Sequence, residues 1–585
     1  MKRLFSILIV TLTLCHFVYS QSVHIKLIET TDVHGAIFPY DFVNDTATNN
    51  SLAQVYTYVK KERKNKEQEV ILLDNGDILQ GQPVVYYYNF ENTSGTHICS
   101  DIMNFMNYDA ATVGNHDIEA GHEVYDKIVK EFNFPWLAAN AVNNENNKPY
   151  FQPYYIINKK GIKIAIFGLI TPGIPKWLPE NIWKGIYFED MIESAAKWVK
   201  IINENEKPDI LVGLFHSGID YTYGNVTAET YKNENATKLV AEKVSGFDII
   251  FAGHDHDEYN FYVNDKNGNK VLLLDAKSSA KLVAVADIYL NYDTINNKWT
   301  KSIKGNLIDM TNYLPDKEFM EKFSANFEEV KKYVSEPIGT VSKTIHSKDA
   351  FFGDSEFIDL IHNVQLEITK ADISFTAPLN FNTKIDSGEI YVRDMFKLYR
   401  FENLLYTMEL NGKEIKDYLE YACKLWFNTM KNPDDHLIRF KNIEENSNNN
   451  SNNKYPVLYG NFYNYDSAEG IIYEVDVSKP DGNKVNIISM SDGSPFDYDK
   501  KYKVALNSYR GNGGGYHLTK GAKILPEDLK NRILFSTDKD FRYYMMEWIK
   551  QKKIIDPEKT KNWKIIPVEL YENGKQKDCQ LLFGK

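Results

Sequence analysis

The sequence predicts an α/β protein of two domains joined by a helix, and three observations predict it. In the first half, short Val/Ile-rich apolar runs alternate with helical stretches, the pattern of a sheet covered by helices. A charged amphipathic segment over Asp316–Val334, with Pro337 soon after it, ends that alternation. The chain's 585 residues also exceed what one hydrophobic core organises.

The expected strands of the first half are Val23–Glu29, Glu69–Leu73, Ala110–Val113, Lys163–Ile170, Asp209–Phe215, Asp248–Phe251, Val271–Asp275 and Ala284–Leu290. Short length and Val/Ile enrichment favour strands over buried helix pieces. Helices are expected between them, as over Asn50–Lys66 and Asp190–Glu204. Asp316–Val334 reads as a single connecting helix. From about Gly339 the pattern changes to helices over Glu356–Thr369 and Gly412–Lys424 and strands over Gly470–Val477 and Tyr502–Asn507. Within this part Glu444–Asn453, nearly all Asn, Ser and Glu, reads as a disordered surface loop. The division is residues 21–312, a linker over 313–338, and 339–585. No internal repeat is visible.

Composition narrows the function classes. Hydrophobic residues make up 43% and charged residues 25%, an ordinary globular balance. Lys+Arg 68 against Asp+Glu 80 gives a net charge of −12, which argues against a partner such as polymeric nucleic acid that requires a basic surface. Small anions stay open, because bound metal ions reverse the local field in an acidic protein. Lys2 and Arg3 precede an apolar run from Leu4 to Leu14, then Cys15 to Ser20: the layout of a secretory signal over residues 1–20, with the mature chain starting near Gln21. The run is shorter than the roughly 20 residues that span a bilayer. Export to a periplasmic or extracellular space is therefore expected. Lipidation of Cys15 is a lesser reading, since Leu14 is bulky where such signals carry a small residue. Cys99, Cys423 and Cys579 form no CxxC pair, so neither a disulfide framework nor a thiolate zinc site is signalled.

Five segments each place His, Asp or Asn directly after an apolar strand: Thr31-Asp32-Val33-His34-Gly35, Asn75-Gly76-Asp77, Gly114-Asn115-His116-Asp117, His216-Ser217-Gly218 and Gly253-His254-Asp255-His256. Strand C-termini of an open α/β sheet gather along one edge, where ligands bind. Asp32-x-His34 and His254-x-His256 put both side chains of each pair on one face of extended chain, so each pair can grip one centre. Singly, these have ordinary readings: a strand-end His is commonly a hydrogen-bonded structural residue, and GNHD could be a turn. Five in this order outweigh them. Only oxygen and nitrogen donors occur, which suits Mn, Zn, Fe or Co. Asp32, His34, Asp77, Asn115, His216, His254 and His256 exceed the needs of one ion, so two ions sharing a carboxylate is the economical arrangement, and such pairs serve displacement at phosphorus.

The ordered set DVHG, NGD, GNHD, HSG and GHDH resembles the calcineurin-like metallophosphoesterases, and the long second domain with Ser508-Tyr509-Arg510-Gly511-Asn512-Gly513-Gly514-Gly515-Tyr516-His517 narrows the resemblance to the 5′-nucleotidase family. The likeness covers nearly the whole mature chain. It implies a four-layer α/β/β/α metallophosphoesterase domain, a bridging helix and a C-terminal α+β nucleotide-recognition domain. It further implies one divalent metal on Asp32, His34, Asp77 and His256, and a second on Asp77, Asn115, His216 and His254, with Asp77 bridging and a metal-held hydroxide attacking phosphorus. His116 matches the family's catalytic histidine. The family often orients it with an Asp three residues on, where this chain has Glu119, with Asp117 closer by. The base-stacking aromatic after the Gly-rich loop matches Tyr516. For the second wall, Tyr465 in Tyr463-Asn464-Tyr465-Asp466 is expected and Tyr463 is the reserve. Arg510 is expected either to contact phosphate or sugar or to pair with a surface carboxylate.

Phe375-Thr376-Ala377-Pro378-Leu379-Asn380-Phe381 replaces the Gly-rich, arginine-bearing segment of the 5′-nucleotidase branch, and so looks more like the 2′,3′-cyclic-nucleotide 2′-phosphodiesterase/3′-nucleotidase branch. The expected activity is an exported dinuclear-metal phosphohydrolase acting on small-molecule nucleotides. The alternatives are a UDP-sugar hydrolase of the same family, a non-catalytic nucleotide-binding protein, or a phosphoprotein phosphatase.

Overall fold

The computed structural model describes residues 22–224, 226–293, 298–441 and 457–584. The predicted signal segment, with Cys15, and the Asn-rich stretch Glu444–Asn453 lie outside them. Among the described residues no helix is long and apolar enough to cross a membrane.

Twelve strands build the core of the first domain: β1 (Ser22–Thr30), β2 (Glu69–Asp74), β3 (Ala110–Thr112), β4 (Trp136–Leu137), β5 (Tyr154–Lys159), β6 (Ile162–Ile170), β7 (Ile210–His216), β8 (Ile249–Ala252), β9 (Glu258–Asn264), β10 (Lys270–Ala276), β11 (Leu282–Asp293) and β12 (Lys298–Asp309). They form two six-stranded sheets, ordered β12-β11-β1-β2-β3-β4 and β9-β10-β8-β7-β6-β5. Strands β1 to β4 run parallel in the first sheet, and β6, β7, β8 and β10 run parallel in the second. Antiparallel strands close their edges.

Alternate side chains of β1 explain the sandwich. Val23, Ile25 and Leu27 meet Ile164, Ile166, Val212, Leu214 and Phe251 in a dry core between the sheets. Ile28 on the other face joins Val55, Val59 and Ile102 of helices Leu52–Lys64 and Ile98–Met106. On the far side, Ala195, Val199, Ile202 and Val240 of helices Met191–Asn205 and Thr237–Lys243 cover Phe167, Leu211, Phe215 and Leu273. The layers are thus α/β/β/α, as the family resemblance implies. Each Leu, Ile or Val so buried contributes about 1.5–3 kcal/mol. Ser51 and Asp190 start their helices by accepting from the Ala53 (3.1 Å) and Ile192 (2.9 Å) N–H groups.

The connecting segment corrects the expectation of one helix. It is two helices, Lys317–Lys322 and Ser324–Val334, broken at Phe323 with φ −102° and ψ 16°. The break lets Phe319, Phe323 and Phe327 all reach the first domain, where they pack on Phe38 and Phe105 with ring centroids 5.4–6.4 Å apart. Aromatic burial outweighs helix continuity here.

The second domain has a five-stranded sheet in the order Ser467–Glu469, Ile373–Thr376, Lys501–Asn507, Leu404–Asn411 and Ile533–Asp540. Helices Glu356–Thr369 and Gly412–Trp426 pack against it, the latter started by a capping box between Asn411 and Glu414. Cys99, Cys423 and Cys579 are free thiols.

Candidate active site and metal centre

The C-terminal ends of β1, β2, β3, β7 and β8 lie along one edge and bring together all seven predicted ligands. Five of them, Asp32, His34, Asp77, His254 and His256, have φ between 48° and 79°. Left-handed backbone is costly for non-glycine residues, so its concentration at one locus marks a functional site. Gly76 has φ +93°, and a Cβ on it would stand 2.6 Å from the Gly114 nitrogen, so glycine lets the second and third strand-end loops touch.

Asp117 locks these loops. One of its oxygens accepts from the N–H groups of Asp77 (2.9 Å) and Gly114 (2.7 Å), and the other from Ile78 (2.9 Å) and Leu79 (3.1 Å). Burial and the adjacent Asp77 charge push Asp117 up to about 7. Four donors pointing at its oxygens leave no acceptor for a proton, and we assign the carboxylate as ionised.

The ligand atoms converge as two groups, Asp32/His34/His256 and Asp32/Asp77/His216, with the atoms of each within 4.8 Å of one another. His34 Nδ1 donates to the Gln80 carbonyl (3.1 Å), which leaves its Nε2 lone pair facing His256 Nε2 at 3.0 Å. His216 Nδ1 donates to the Asn75 carbonyl (2.7 Å), and its Nε2 lies 3.1 Å from both Asp77 Oδ2 and Asn115 Oδ1. Asn115 Oδ1 is also 2.8 Å from His254 Nδ1, joining the last two ligands. Asp77 Oδ2 faces His34 Nε2 as well, at 3.9 Å, and so stands between the groups.

The charges agree with a cation centre. Burial opposes ionisation of Asp32 and Asp77, yet His216 and its neighbours hold both below the usual carboxylate range. Those carboxylates lift His216 up to about 10 against its own burial. Burial, then the His256 charge, depresses His34 to about 3. A protein that packs carboxylates, an amide oxygen and imidazole lone pairs this closely has a donor set for divalent cations that displace the ring protons. The residues present fit a pair of such ions.

His116 opens the helix Asn115–Glu119 beside this cluster. Its N–H donates to Asp77 Oδ1 (2.8 Å), and its Nδ1 is hydrogen-bonded to Glu119 Oε2. Against burial, Asp77 and Glu119 push the ring up to about 9. Glu119 therefore occupies the position for orienting His116, and Asp117 serves the backbone instead.

The second domain corrects two sequence expectations. Tyr465 is 2% exposed and stacks on Trp426, with centroids 5.3 Å apart at 16°. It is a core residue and offers no face to a nucleobase. Arg510, 3% exposed, spends its guanidinium on Asp466 (2.8 Å), Asn464 Oδ1 (3.0 Å) and the Tyr463 carbonyl (2.7 Å). It pairs with a buried carboxylate and fixes the loops that carry Tyr463 and Tyr516.

Tyr463 and Tyr516 instead face the first domain. Asn461 Nδ2 donates to the Tyr463 hydroxyl (2.7 Å) and to the hydroxyl of Tyr223 in the first domain (3.2 Å). The Tyr516 hydroxyl abuts Gly224, whose carbonyl accepts from Lys520 Nζ (3.0 Å), and Lys520 lies 4.0 Å over the Tyr516 ring. Asn512 Nδ2 donates to the Trp177 carbonyl (3.5 Å), and the Trp177 indole stacks on His254 at 5.5 Å. The aromatic loops are thus tied to the rim of the cation centre. Sequence reasoning passed over Trp177 and Tyr223 because both lie in irregular loops without periodicity. Asp117 carried a signal in its place within GNHD.

Comparison with known proteins supplies the family. Residues 25–258 match the calcineurin-like phosphoesterase family, and residues 337–520 match the 5′-nucleotidase C-terminal domain. The trifunctional nucleotide phosphoesterase protein YfkN of Bacillus subtilis is 27% identical over 615 residues; the match takes in 94% of this chain and 39% of that protein, so the chain spans well under half of that relative. The 2′,3′-cyclic-nucleotide 2′-phosphodiesterase/3′-nucleotidase of Salmonella typhimurium is 24% identical over 622 residues, covering 94% of this chain and 90% of that one. In three dimensions the chain is similar to a candidate 5′-nucleotidase from Staphylococcus aureus (TM-score 0.76, 20% identity, 93% of this chain and 99% of that one). A 5′-nucleotidase precursor from Thermus thermophilus shares the fold too (TM-score 0.61, 20% identity, 93% and 99%). With both domain signatures in order along one chain, the protein belongs to the 5′-nucleotidase family of calcineurin-like metallophosphoesterases, enzymes that hydrolyse phosphate esters.

Proposed function

We propose that the protein is an exported, metal-dependent nucleotide phosphohydrolase, acting as a 5′-nucleotidase, as a 2′,3′-cyclic-nucleotide phosphodiesterase/3′-nucleotidase, or as both. The observation that carries this reading is the seating of second-domain aromatic loops directly on the rim of the strand-end ligand cluster, tied there by Asn512 and Asn461. Export rests on the N-terminal Lys2-Arg3 and the apolar run after them. The relatives' names support a nucleotide substrate.

Asp32, His34, Asp77 and His256 would hold one cation, and Asp77, Asn115, His216 and His254 the other. Two divalent cations at these positions would supply Lewis-acid polarisation of the phosphoryl group and an activated water. The chain's own residues do the rest. Asp77 stands between the two ligand groups, its second oxygen steadied by the His116 N–H. His116, held by Glu119, presents its other ring nitrogen to the reacting phosphoryl group, where it stabilises developing charge and protonates the leaving oxygen. Trp177 covers His254 and excludes water from that side. Tyr516 and Tyr463 offer π faces to the base, and stacking of this kind is tolerant of base identity.

A substrate panel tests the reading. With Mn or Zn supplied, the purified protein should release phosphate from 5′- or 3′-nucleotides or open 2′,3′-cyclic nucleotides, at kcat/KM well above that for phosphopeptides. Preference for phosphopeptides, or nucleotide binding without turnover, would overturn it.

A further inference from the structure

One acidic side chain near the junction of the domains, that of Glu234, has no hydrogen bond among the described residues. Glu234 sits between Asn233 and Asn235, both 3% exposed, whose amides donate to the Tyr221 (2.8 Å) and Asp220 (3.2 Å) carbonyls. Its own carbonyl accepts from Ser217 Oγ (2.7 Å) and Thr171 Oγ1 (3.0 Å). The backbone is therefore fixed on both sides. The carboxylate, with 13% side-chain exposure, is free of hydrogen bonds among the described residues. His254 Nε2 lies 3.9 Å from one of its oxygens, beyond hydrogen-bond reach.

What surrounds this carboxylate gives it a use. On one side is His254, whose other ring nitrogen faces Asn115 in the cation centre. On the other are Tyr223, Tyr463, Tyr509 and Tyr516, whose phenols are held above the ordinary tyrosine range by burial first and in part by the Glu234 charge. Glu234 thus stands between the group that would hold phosphate and the group that would hold the base. In a nucleotide, the part that joins phosphate to base is the sugar. A carboxylate with both oxygens uncommitted repels phosphate and accepts strongly from O–H donors, and ribose presents such donors at this distance along the molecule.

We propose that Glu234 is a specificity residue whose carboxylate accepts hydrogen bonds from ribose hydroxyls, so that the enzyme selects ribonucleotides over their 2′-deoxy counterparts. This rests on the nucleotide reading above and adds the group that reads the sugar. Losing a hydrogen bond to a charged acceptor lowers the specificity constant by about ten- to a hundredfold.

The test compares kcat/KM for 3′-AMP and 2′-deoxy-3′-AMP, and for 5′-AMP and 2′-deoxy-5′-AMP, in the Mn-loaded wild type, Glu234→Ala and Glu234→Gln. p-Nitrophenyl phosphate is the sugar-free reference, and bound metal is measured by mass spectrometry. The wild type should favour the ribo form of its nucleotide about ten- to a hundredfold. Glu234→Ala should bring that ratio close to one, and Glu234→Gln, a neutral acceptor of the same shape, should leave an intermediate ratio. A wild type that hydrolyses both sugars equally would overturn the proposal and leave the nucleotide reading standing. So would a variant that slows every substrate by one factor while losing metal, because Glu234 would then act through His254. A wild type active on p-nitrophenyl phosphate but on no nucleotide would overturn the nucleotide reading itself.

Discussion

Asp117→Asn removes a negative charge and turns one of two acceptor oxygens into an N–H₂ donor, with almost no change in shape. In the wild type each oxygen receives two backbone N–H groups, Asp77 with Gly114 and Ile78 with Leu79. Whichever way the asparagine amide turns, one pair of donors faces another donor. Two charge-assisted hydrogen bonds at about 1.5–3 kcal/mol each are lost, and the expected destabilisation is about 3–6 kcal/mol. That is a large share of the roughly 5–15 kcal/mol that keeps a typical domain folded. It falls on the loop that presents Asp77, so metal affinity should drop about 10- to 100-fold as well, the usual effect of losing a group that orients a ligand. Urea unfolding followed by tryptophan fluorescence measures the first quantity, and metal titration the second. A loss below about 1 kcal/mol with unchanged metal affinity would refute the assignment of Asp117 as the ionised lock between the strand-end loops.

Three further outcomes are expected. His116→Ala should lower nucleotide turnover by about 10²–10⁴-fold with the metal content retained; an equal loss of metal would show that the ring is a ligand. Tyr516→Ala should weaken nucleotide binding, measured as KM or by calorimetry, by about 1–3 kcal/mol relative to p-nitrophenyl phosphate; equal effects on both would remove the ring from the base site. His362 is buried between the Ser374 (2.9 Å) and Ser467 (3.0 Å) hydroxyls, and burial depresses it to about 3. Because its folded value lies below the unfolded value of about 6.5, its stabilising contribution is whole above that pH and is lost as the pH falls toward the folded value. The stability gap between wild type and His362→Gln should therefore narrow by about 2 kcal/mol between pH 7.5 and pH 5.0 in urea titrations; a constant gap would contradict a neutral buried ring.

Much of the catalytic domain could be read from sequence because its parallel strands are buried on both faces. Continuous Val/Ile runs such as Ile162–Ile170 and Ile210–His216 stand out against polar surroundings, and the chemistry-bearing residues follow them without a gap. Strands β4, β5, β9 and β12 are not among the predicted ones: all four are edge strands, β4 only two residues long and the other three made mostly of half-exposed or exposed residues that look like loops. The break at Phe323 escaped for a different reason: charge and periodicity run on through it, and only the position of Phe38 and Phe105 across the chain requires it. Tyr465 was misjudged because a single tyrosine does not reveal its burial, and the stacking partner Trp426 lies 39 positions away on a helix. The two readings of Arg510 turn on burial, which the sequence does not reveal: Asp466 meets its guanidinium at 2.8 Å in the interior. Tyr223 and Glu234 gave no signal at all, because their roles arise where loops of two domains meet.

At the centre of the proposed site is the Asp77 carboxylate. Asp77 Oδ2 faces both His34 and His216, so it should couple the two cation positions, beside Asp32, which belongs to both ligand groups. Metal content of the purified protein after dialysis against micromolar Mn or Zn is the direct measurement. Two ions per wild-type chain, falling to one or none in Asp77→Asn with phosphate release abolished, is the predicted result. A single ion in the wild type, or two retained in the variant, would contradict it.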